Sequence, residues 1–226
     1  MAGSWGAFGK IPAMGDFLRS ETPAGFVETW DAWLQGAMLS ARRSLGERWQ
    51  ECYFSAPIWR FTLAQGLAGR LPVIGILMPS VDRVGRQFPL TLMAPLPQGA
   101  PVLLTHLAAD AAFARLEELA LEALERDLPW AQLVQRLAML PRAATPRAVP
   151  PGGQDGALTL VAPTDRPLGA DLLAKLLDAR LRQPSIWSTL LADGNRLMVS
   201  ATLPRDADAA ALFDLAAPSW AAGAAA

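Results

Sequence analysis

Residues 75–91, GILMPSVDRVGRQFPLT, place a polar loop between two apolar runs. The runs 73–78 and 88–94 each have the length and composition of a buried strand. The loop between them is too short for a helical crossover, so we predict two adjacent antiparallel strands. Gly85 supplies a residue that can adopt the positive φ angle that such connections often require.

The same loop concentrates charge in Asp82, Arg83 and Arg86. A second polar loop, nearer the N-terminus, contributes Lys10 and Asp16. We expect the two loops to meet at one edge of the sheet, where Asp16 or Asp82 accepts a charge-assisted hydrogen bond from an arginine. Such pairs can fix loops in place and can equally present them to a partner, so these five residues are candidates for either role.

Away from these loops the apolar periodicity alternates between helical and strand patterns. The predicted helices are an amphipathic segment carrying Phe26 to Ala41, then 101–126, 129–140, 168–181 and a last one from Asp206. The predicted strands, besides the central pair, are 4–11, 57–63, 157–161, 185–191 and 196–202. This mixture favours an α/β fold in which a mixed, partly antiparallel sheet is covered by helices on both faces.

The length of 226 residues suits one substantial domain or two small ones. Residues 141–156 are rich in proline and glycine and lack periodicity, so we predict a flexible loop there. The alanine-rich end, 218–226, is predicted to be a disordered tail.

Composition limits the partners of the chain. The 20 basic and 21 acidic residues give a net charge of −1, which argues against a nucleic-acid-binding surface. Cys52 is the only cysteine, so no internal disulfide can form, as expected in a reducing compartment. Neither a signal peptide nor an apolar run long enough to span a bilayer is visible, so we expect a cytoplasmic protein without direct membrane insertion.

None of the residues that could suggest catalysis forms a recognisable catalytic or cofactor-binding motif. The pair Gly9-Lys10 lacks the leading glycine and the following hydroxyl residue of a phosphate-binding loop, and no other cofactor motif is found. His106 is the only histidine, so two-histidine acid–base or zinc sites are excluded within one chain, and we expect a packing or surface residue. Cys52 is predicted to be a buried structural thiol. No catalytic residue, metal site or cofactor is therefore predicted.

Two long motifs carry a resemblance to a known family. Residues 8–17, FGKIPAMGDF, resemble the GKxPxxGDF opening of the TagF/ImpM family, which is associated with type VI secretion. Residues 80–91, SVDRVGRQFPLT, resemble the SVDRVGRxFPLT signature of the same family. Shorter matches lie at 30–34 and 56–61, whereas 184–187 is followed by Ser188 where the family pattern has a second tryptophan.

The resemblance implies a fold and a function that periodicity does not supply. It implies a single TagF-like domain over residues 1–217 with the fold of a three-layer α/β/α sandwich. It also implies a cytoplasmic, non-enzymatic, post-translational repressor of type VI secretion in Gram-negative bacteria. Such a repressor would bind a forkhead-associated scaffold protein and restrain assembly of the secretion apparatus.

Two other functional classes remain open. A small hydrolase or phosphoester-binding enzyme would use the Lys10/Asp16 and Asp82/Arg86 loops, and would need these side chains to converge in a concave pocket with perturbed pKa values. A structural subunit of the apparatus would need a large obligate interface. A repressor needs only a rigid, exposed patch.

Overall fold

The computed structural model describes residues 4–124, 128–153, 158–164 and 167–221. Over this part of the chain seven strands form one sheet: β1 (Gly6–Gly9), β2 (Leu18–Ser20), β3 (Trp59–Leu63), β4 (Val73–Met78), β5 (Leu90–Pro95), β6 (Ser185–Thr189) and β7 (Arg196–Ser200). Their order across the sheet is β2-β1-β5-β4-β3-β6-β7.

All strand pairings in this sheet are antiparallel, so the prediction of a mixed sheet is wrong. The pairs β1–β2, β3–β4, β4–β5 and β6–β7 join strands that are consecutive in sequence, and a direct connection between neighbours reverses the chain. The pair β3–β6 is antiparallel because the chain leaves β5 and enters β6 at the same end of the sheet.

The predicted central pair of adjacent antiparallel strands is confirmed. β4 pairs with β5 from Val73 opposite Pro95 to Met78 opposite Leu90. The second strand begins at Leu90, two residues later than predicted. Phe88 instead donates its N–H to the Ser80 carbonyl (3.1 Å), which closes the loop before the sheet begins. Gly85 has a φ of 85° in this loop, as the connection requires.

The helices broadly follow the predicted pattern, with two differences. They are α1 (Phe26–Leu45), α2 (Trp49–Ser55), α3 (Val102–Ala108), α4 (Asp110–Leu124), α5 (Trp130–Met139), α6 (Gly169–Arg180), α7 (Asp206–Ala211) and α8 (Pro218–Ala221). The predicted helix 101–126 is interrupted at Ala109, and its residues 125 and 126 lie outside the described residues. The short helix α2 has no counterpart among the predicted elements.

Apolar side chains form a cluster on each face of the sheet. On one face the α1 stripe packs against the strands, with the Trp30 ring 4.9 Å from Phe61 and 6.0 Å from Trp187. On the other face, α4 and α5 pack against residues such as Ile74 and Ile76. Each large side chain buried in these clusters contributes about 1.5–3 kcal/mol to folding.

Two hydrogen bonds involve the segments after α5, where residues 141–156 are predicted to be a flexible loop. Pro141 accepts a hydrogen bond from Trp5 Nε1 (2.9 Å), and the N–H of Val149 donates to Asp171 (2.9 Å). Of the predicted strand 157–161, residues 158–161 form only an isolated bridge through Thr159, and residue 157 lies outside the described residues.

The chain end also differs from its prediction over the residues described. Where a disordered tail is predicted from 218, Pro218–Ala221 form α8, and the Trp220 ring stacks 5.5 Å from Trp59. Residues 222–226 lie outside the described part. No helix within the described ranges is long and apolar enough to cross a membrane.

Candidate functional site

The two charged loops meet at the end of the sheet where β1 and β4 end and β5 begins. At their centre lies the Asp82 hub, formed by Asp82, Lys10 and Arg86. Lys10 Nζ lies 3.0 Å from Asp82 Oδ2, and Arg86 Nε lies 2.6 Å from the same oxygen. The other oxygen, Oδ1, accepts the N–H groups of Val84 (3.1 Å) and Arg86 (2.9 Å). Both oxygens of the carboxylate are thus fully engaged.

Local sequence explains why Lys10 reaches this hub. Gly9, at the end of β1, has a φ of 130°, and a Cβ atom there would lie 2.1 Å from the Pro89 carbonyl oxygen. Only glycine therefore allows the first loop to pass this close to the second. Lys10 follows directly, and its ammonium group lies 4.8 Å from the centre of the Phe17 ring, a cation–π contact.

The hub keeps Asp82 ionised. Burial by itself would raise the pKa of this carboxyl group. The N–H of Arg86, the Lys10 ammonium, the Arg86 guanidinium and the N–H of Val84 outweigh burial and hold the pKa of Asp82 well below its usual range. The result is a buried negative charge shared between two cations.

Further hydrogen bonds clasp the second loop onto the first. Arg86 Nη2 donates to the Gly15 carbonyl oxygen (2.7 Å), and the N–H of Arg83 donates to the Met14 carbonyl oxygen (2.8 Å). The Arg83 guanidinium also lies over Gly15, where an added Cβ atom would be 3.2 Å from Nη2. The two loops therefore form one rigid unit.

Asp16 is the predicted site residue that the structure does not bring into this cluster. Its side chain is exposed, and Oδ1 accepts the N–H of the next residue, Phe17, at 2.7 Å. Among the described residues it forms no ion pair. Of the two predicted acceptors of an arginine hydrogen bond, the structure therefore uses Asp82 and not Asp16. Only Asp82 is buried between the two loops.

The outer surface of this unit is both apolar and cationic. We call it the hub face, formed by Met14, Phe17, Arg83, Val84 and Arg86. Val84 is 71% exposed and Phe17 is 47% exposed. The Arg86 side chain is 61% exposed, so it can meet a partner while its Nε holds Asp82.

The hub does not have the geometry of the hydrolase alternative. That enzyme requires Lys10, Asp16, Asp82 and Arg86 to converge on a substrate. Asp82 is buried with all its acceptor positions filled, and Asp16 lies outside the cluster. Within the described ranges, no group of three or more histidine, cysteine, aspartate or glutamate side chains could hold a metal ion.

A second polar network, around His106, was not predicted from the sequence. His106 is buried; hydrogen bonds join its Nδ1 to Thr62 Oγ1 (2.9 Å) and its Nε2 to Ser188 Oγ (2.8 Å). Burial and then the nearby charge of Arg60 lower the pKa of His106 to about 4. Both ring nitrogens are bonded to hydroxyl groups of neighbouring strands, so His106 ties α3 to β3 and β6, which fits a structural role. The alternating polar residues Arg60 and Thr62 in β3 are the only local signal of it.

Cys52 lies in α2 and is buried. Burial, and next the charge of Asp214, raise the pKa of its thiol. A thiol of raised pKa is a weak nucleophile, as expected of a structural cysteine.

Comparisons with known proteins bear on the two loops and on the whole fold. A family model described as the TagF N-terminal domain, type VI secretion system-associated, matches residues 6–140, which include both loops. The crystal structure of PA0076 from Pseudomonas aeruginosa PAO1 is similar to this chain, with 34% sequence identity and a TM-score of 0.77. The match covers 93% of this chain and 94% of that one. No curated protein matches the chain.

Proposed function

The chain belongs to the TagF family of type VI secretion-associated proteins, and on that premise we propose that it represses type VI secretion after translation. It acts in the cytoplasm by binding a forkhead-associated scaffold protein and so restrains assembly of the apparatus. The hub face is the binding surface in this proposal. Helices packed on both faces of the sheet, in three layers, form the rigid body that carries it.

The observation that carries this proposal is the combination of rigidity and exposure in the hub face. Hydrogen bonds to the buried Asp82 and between the two loops hold the backbone of both loops in place. The exposed residues Val84, Phe17 and Arg83 therefore lose little conformational freedom when a partner binds. Exposed apolar groups next to arginines are typical of the energetic centres of protein interfaces. The surface suits a partner patch with an apolar centre and acidic groups around it.

The same geometry supports non-enzymatic action. Lys10 and Arg86 donate hydrogen bonds to Asp82, and the backbone N–H groups of its own loop donate two more. The Asp82 carboxylate therefore has no acceptor position left for a substrate or a water molecule. A group held in this way stabilises a surface and takes no part in proton transfer. We therefore assign the loops to recognition.

Binding is tested with Val84→Glu, because Val84 is the most exposed apolar side chain of the hub face. In the complex, the new glutamate would be buried against the apolar centre of the partner's patch and close to its acidic groups. Binding of the purified forkhead-associated scaffold should weaken about tenfold or more, measured by calorimetry, while the melting temperature of the variant stays unchanged. Val161→Glu is the matched control, since Val161 is 86% exposed and lies far from both loops in sequence. If the two variants bind the scaffold with equal affinity, the hub face is not part of the interface.

Repression is tested in cells by deleting the gene and measuring export of type VI effectors. Deletion should raise export, overproduction should lower it, and transcripts of the apparatus genes should stay constant. A structural subunit would give the opposite result on deletion, because the apparatus could not assemble. Changes in export that follow transcript levels would contradict post-translational action.

A further inference from the structure

A large open cleft lies at the end of the sheet opposite to the Asp82 hub. Its volume is about 850 Å³, and its walls come from five separate parts of the chain. They include the turn after β3, the segment between β5 and α3, the linker before α6, and the end of α6 itself. This end is where Leu63 pairs with both Val73 and Ser185, whereas the hub lies beyond Met78.

The charge of this cleft is positive in a chain that is close to neutral. Arg147, Lys175 and Arg182 line it, against a single acidic residue, Asp178. In the part of the chain that the structure describes, neither Lys175 nor Arg182 forms an ion pair or side-chain hydrogen bond. These two cations are therefore available to a ligand.

The shape and lining of the cleft limit its ligand. Lys175 lies within α6 and Arg182 lies two residues beyond its end, after the extended residue Leu181, so the two charges are spread along the wall of the cleft. None of the described residues that line the cleft is aromatic, so a nucleobase would find no ring to stack on. In an extended peptide, side chains on one face recur about every 7 Å, so successive acidic side chains can reach cations that are spread along a wall.

The remaining walls are stiff and poor in backbone donors. Five prolines line the cleft: Pro72, Pro97, Pro101, Pro146 and Pro184. Proline has a fixed φ angle and no N–H group, so these five positions stiffen the wall and supply no backbone donor. A wall that is already rigid adds little entropic cost to binding an extended segment.

We propose that this cleft binds an extended acidic segment of a partner protein through Lys175 and Arg182. The site is separate from the hub face and does not depend on the repressor function. Asp178 lies between Lys175 and Arg182 in sequence, lines the same cleft and repels the same ligand, so it limits the affinity.

The test uses the full chain and a fluorescein-labelled octapeptide of alternating glutamate and serine, with binding followed by fluorescence anisotropy. The unmodified chain should bind this peptide, and should not bind the same peptide with glutamine in place of glutamate. Lys175→Glu with Arg182→Glu should weaken binding about tenfold, because each reversed contact changes from attraction to repulsion. Asp178→Asn should strengthen it about twofold. Binding should weaken as salt rises.

Two matched controls separate the cleft from other cationic surfaces. Arg180→Glu changes the same charge on the same helix outside the cleft lining, and Arg83→Glu changes it on the hub face. Each should leave peptide affinity within about twofold of the unmodified chain. If the double reversal does not fold, Lys175→Gln with Arg182→Gln decides the question by a weaker loss of about fourfold.

Three results would overturn the proposal. One is no detectable binding of the acidic peptide, and another is an equal loss of affinity in either control. The third is tighter binding of tripolyphosphate than of the peptide at the same cations, which would make the cleft a phosphate site. A failure of any of these kinds leaves the Val84→Glu result untouched, so the two proposals fail independently.

Discussion

The chain has two lysines, one at each end of the sheet, and they are used in opposite ways. Lys10 is buried and bonded to Asp82, whose other oxygen is closed by backbone N–H groups. Lys175 is half-buried at the rim of an open cleft, and like its neighbour Arg182 it lacks an ion-pair partner among the described residues.

The difference shows that charge alone does not identify a binding site. At the hub end, positive groups and a buried carboxylate neutralise one another, and what remains for a partner is the rigid outer surface. At the cleft end, Lys175 and Arg182 form no ion pair in the part of the chain that the structure describes, so a ligand can contact both. The first arrangement supports the fold, and the second is available for binding.

The largest effect should come from breaking the hub. Asp82→Asn leaves the Lys10 ammonium buried without a negative partner, so we expect the melting temperature to fall by roughly 10–15 °C at pH 7. Calorimetry measures this, and Asp16→Asn is the matched control, with an expected change of about 1 °C or less because Asp16 is exposed and unpaired in the described structure.

The pH dependence of that effect has a definite sign. Because the pKa of Asp82 is lowered in the folded protein, its stabilisation is complete above the ordinary carboxyl pKa of about 4. It is lost as the pH falls through the lower, folded value. The gap in melting temperature between the unmodified chain and Asp82→Asn should thus narrow below about pH 4. A constant gap at all pH values would show that the asparagine acts through packing and not through charge.

An intermediate effect is expected at His106, which is buried without a negative partner. Its pKa is about 4 in the folded protein and about 6.5 when unfolded, so the neutral form is favoured by folding. Its contribution is complete above about pH 6.5 and is lost as the pH falls toward 4. The loss reaches about 3 kcal/mol, or roughly 6–12 °C in melting temperature.

The measurement compares the unmodified chain with His106→Gln between pH 7 and pH 4. The variant keeps a hydrogen-bonding side chain near Thr62 and Ser188 but cannot titrate. It should lack this part of the acid destabilisation. If both proteins lose the same stability over this range, His106 is already charged when folded, and the assignment of a neutral imidazole is wrong.

The smallest effect is expected at the cleft. Lys175→Gln should change the melting temperature by about 1 °C or less, because the ammonium group has no ion-pair partner to lose in the structure described. Lys10→Gln, the same substitution at the other end, should lower it by several degrees. If the two changes are of equal size, the contrast between the ends of the sheet does not hold.

Sequence reasoning reached the hub because its contacts are nearly local. The loop from Met78 to Leu90 joins strands that are adjacent, so a short polar connection predicts both the hairpin and the position of Asp82. It could not separate Asp82 from Asp16, since both follow glycine- or proline-rich turns and differ only in burial.

The cleft and the His106 network could not be predicted in this way. His106 bonds to residues 44 and 82 positions away, and no periodic pattern marks such partners. The break at Ala109 is equally hidden, because alanine is the strongest helix former and gives no local signal to stop. Tertiary packing decides these features.

The long-range pairing of β3 with β6 has a consequence for the order of synthesis. Residues 59–95 can form their three-stranded meander as soon as they leave the ribosome. The outer edge of β3 stays unpaired until Ser185–Thr189 have been synthesised, on the order of ten seconds later at ordinary translation rates. During that interval a nascent chain presents an open strand edge to its surroundings, and chaperone contact with the growing polypeptide is best sought there.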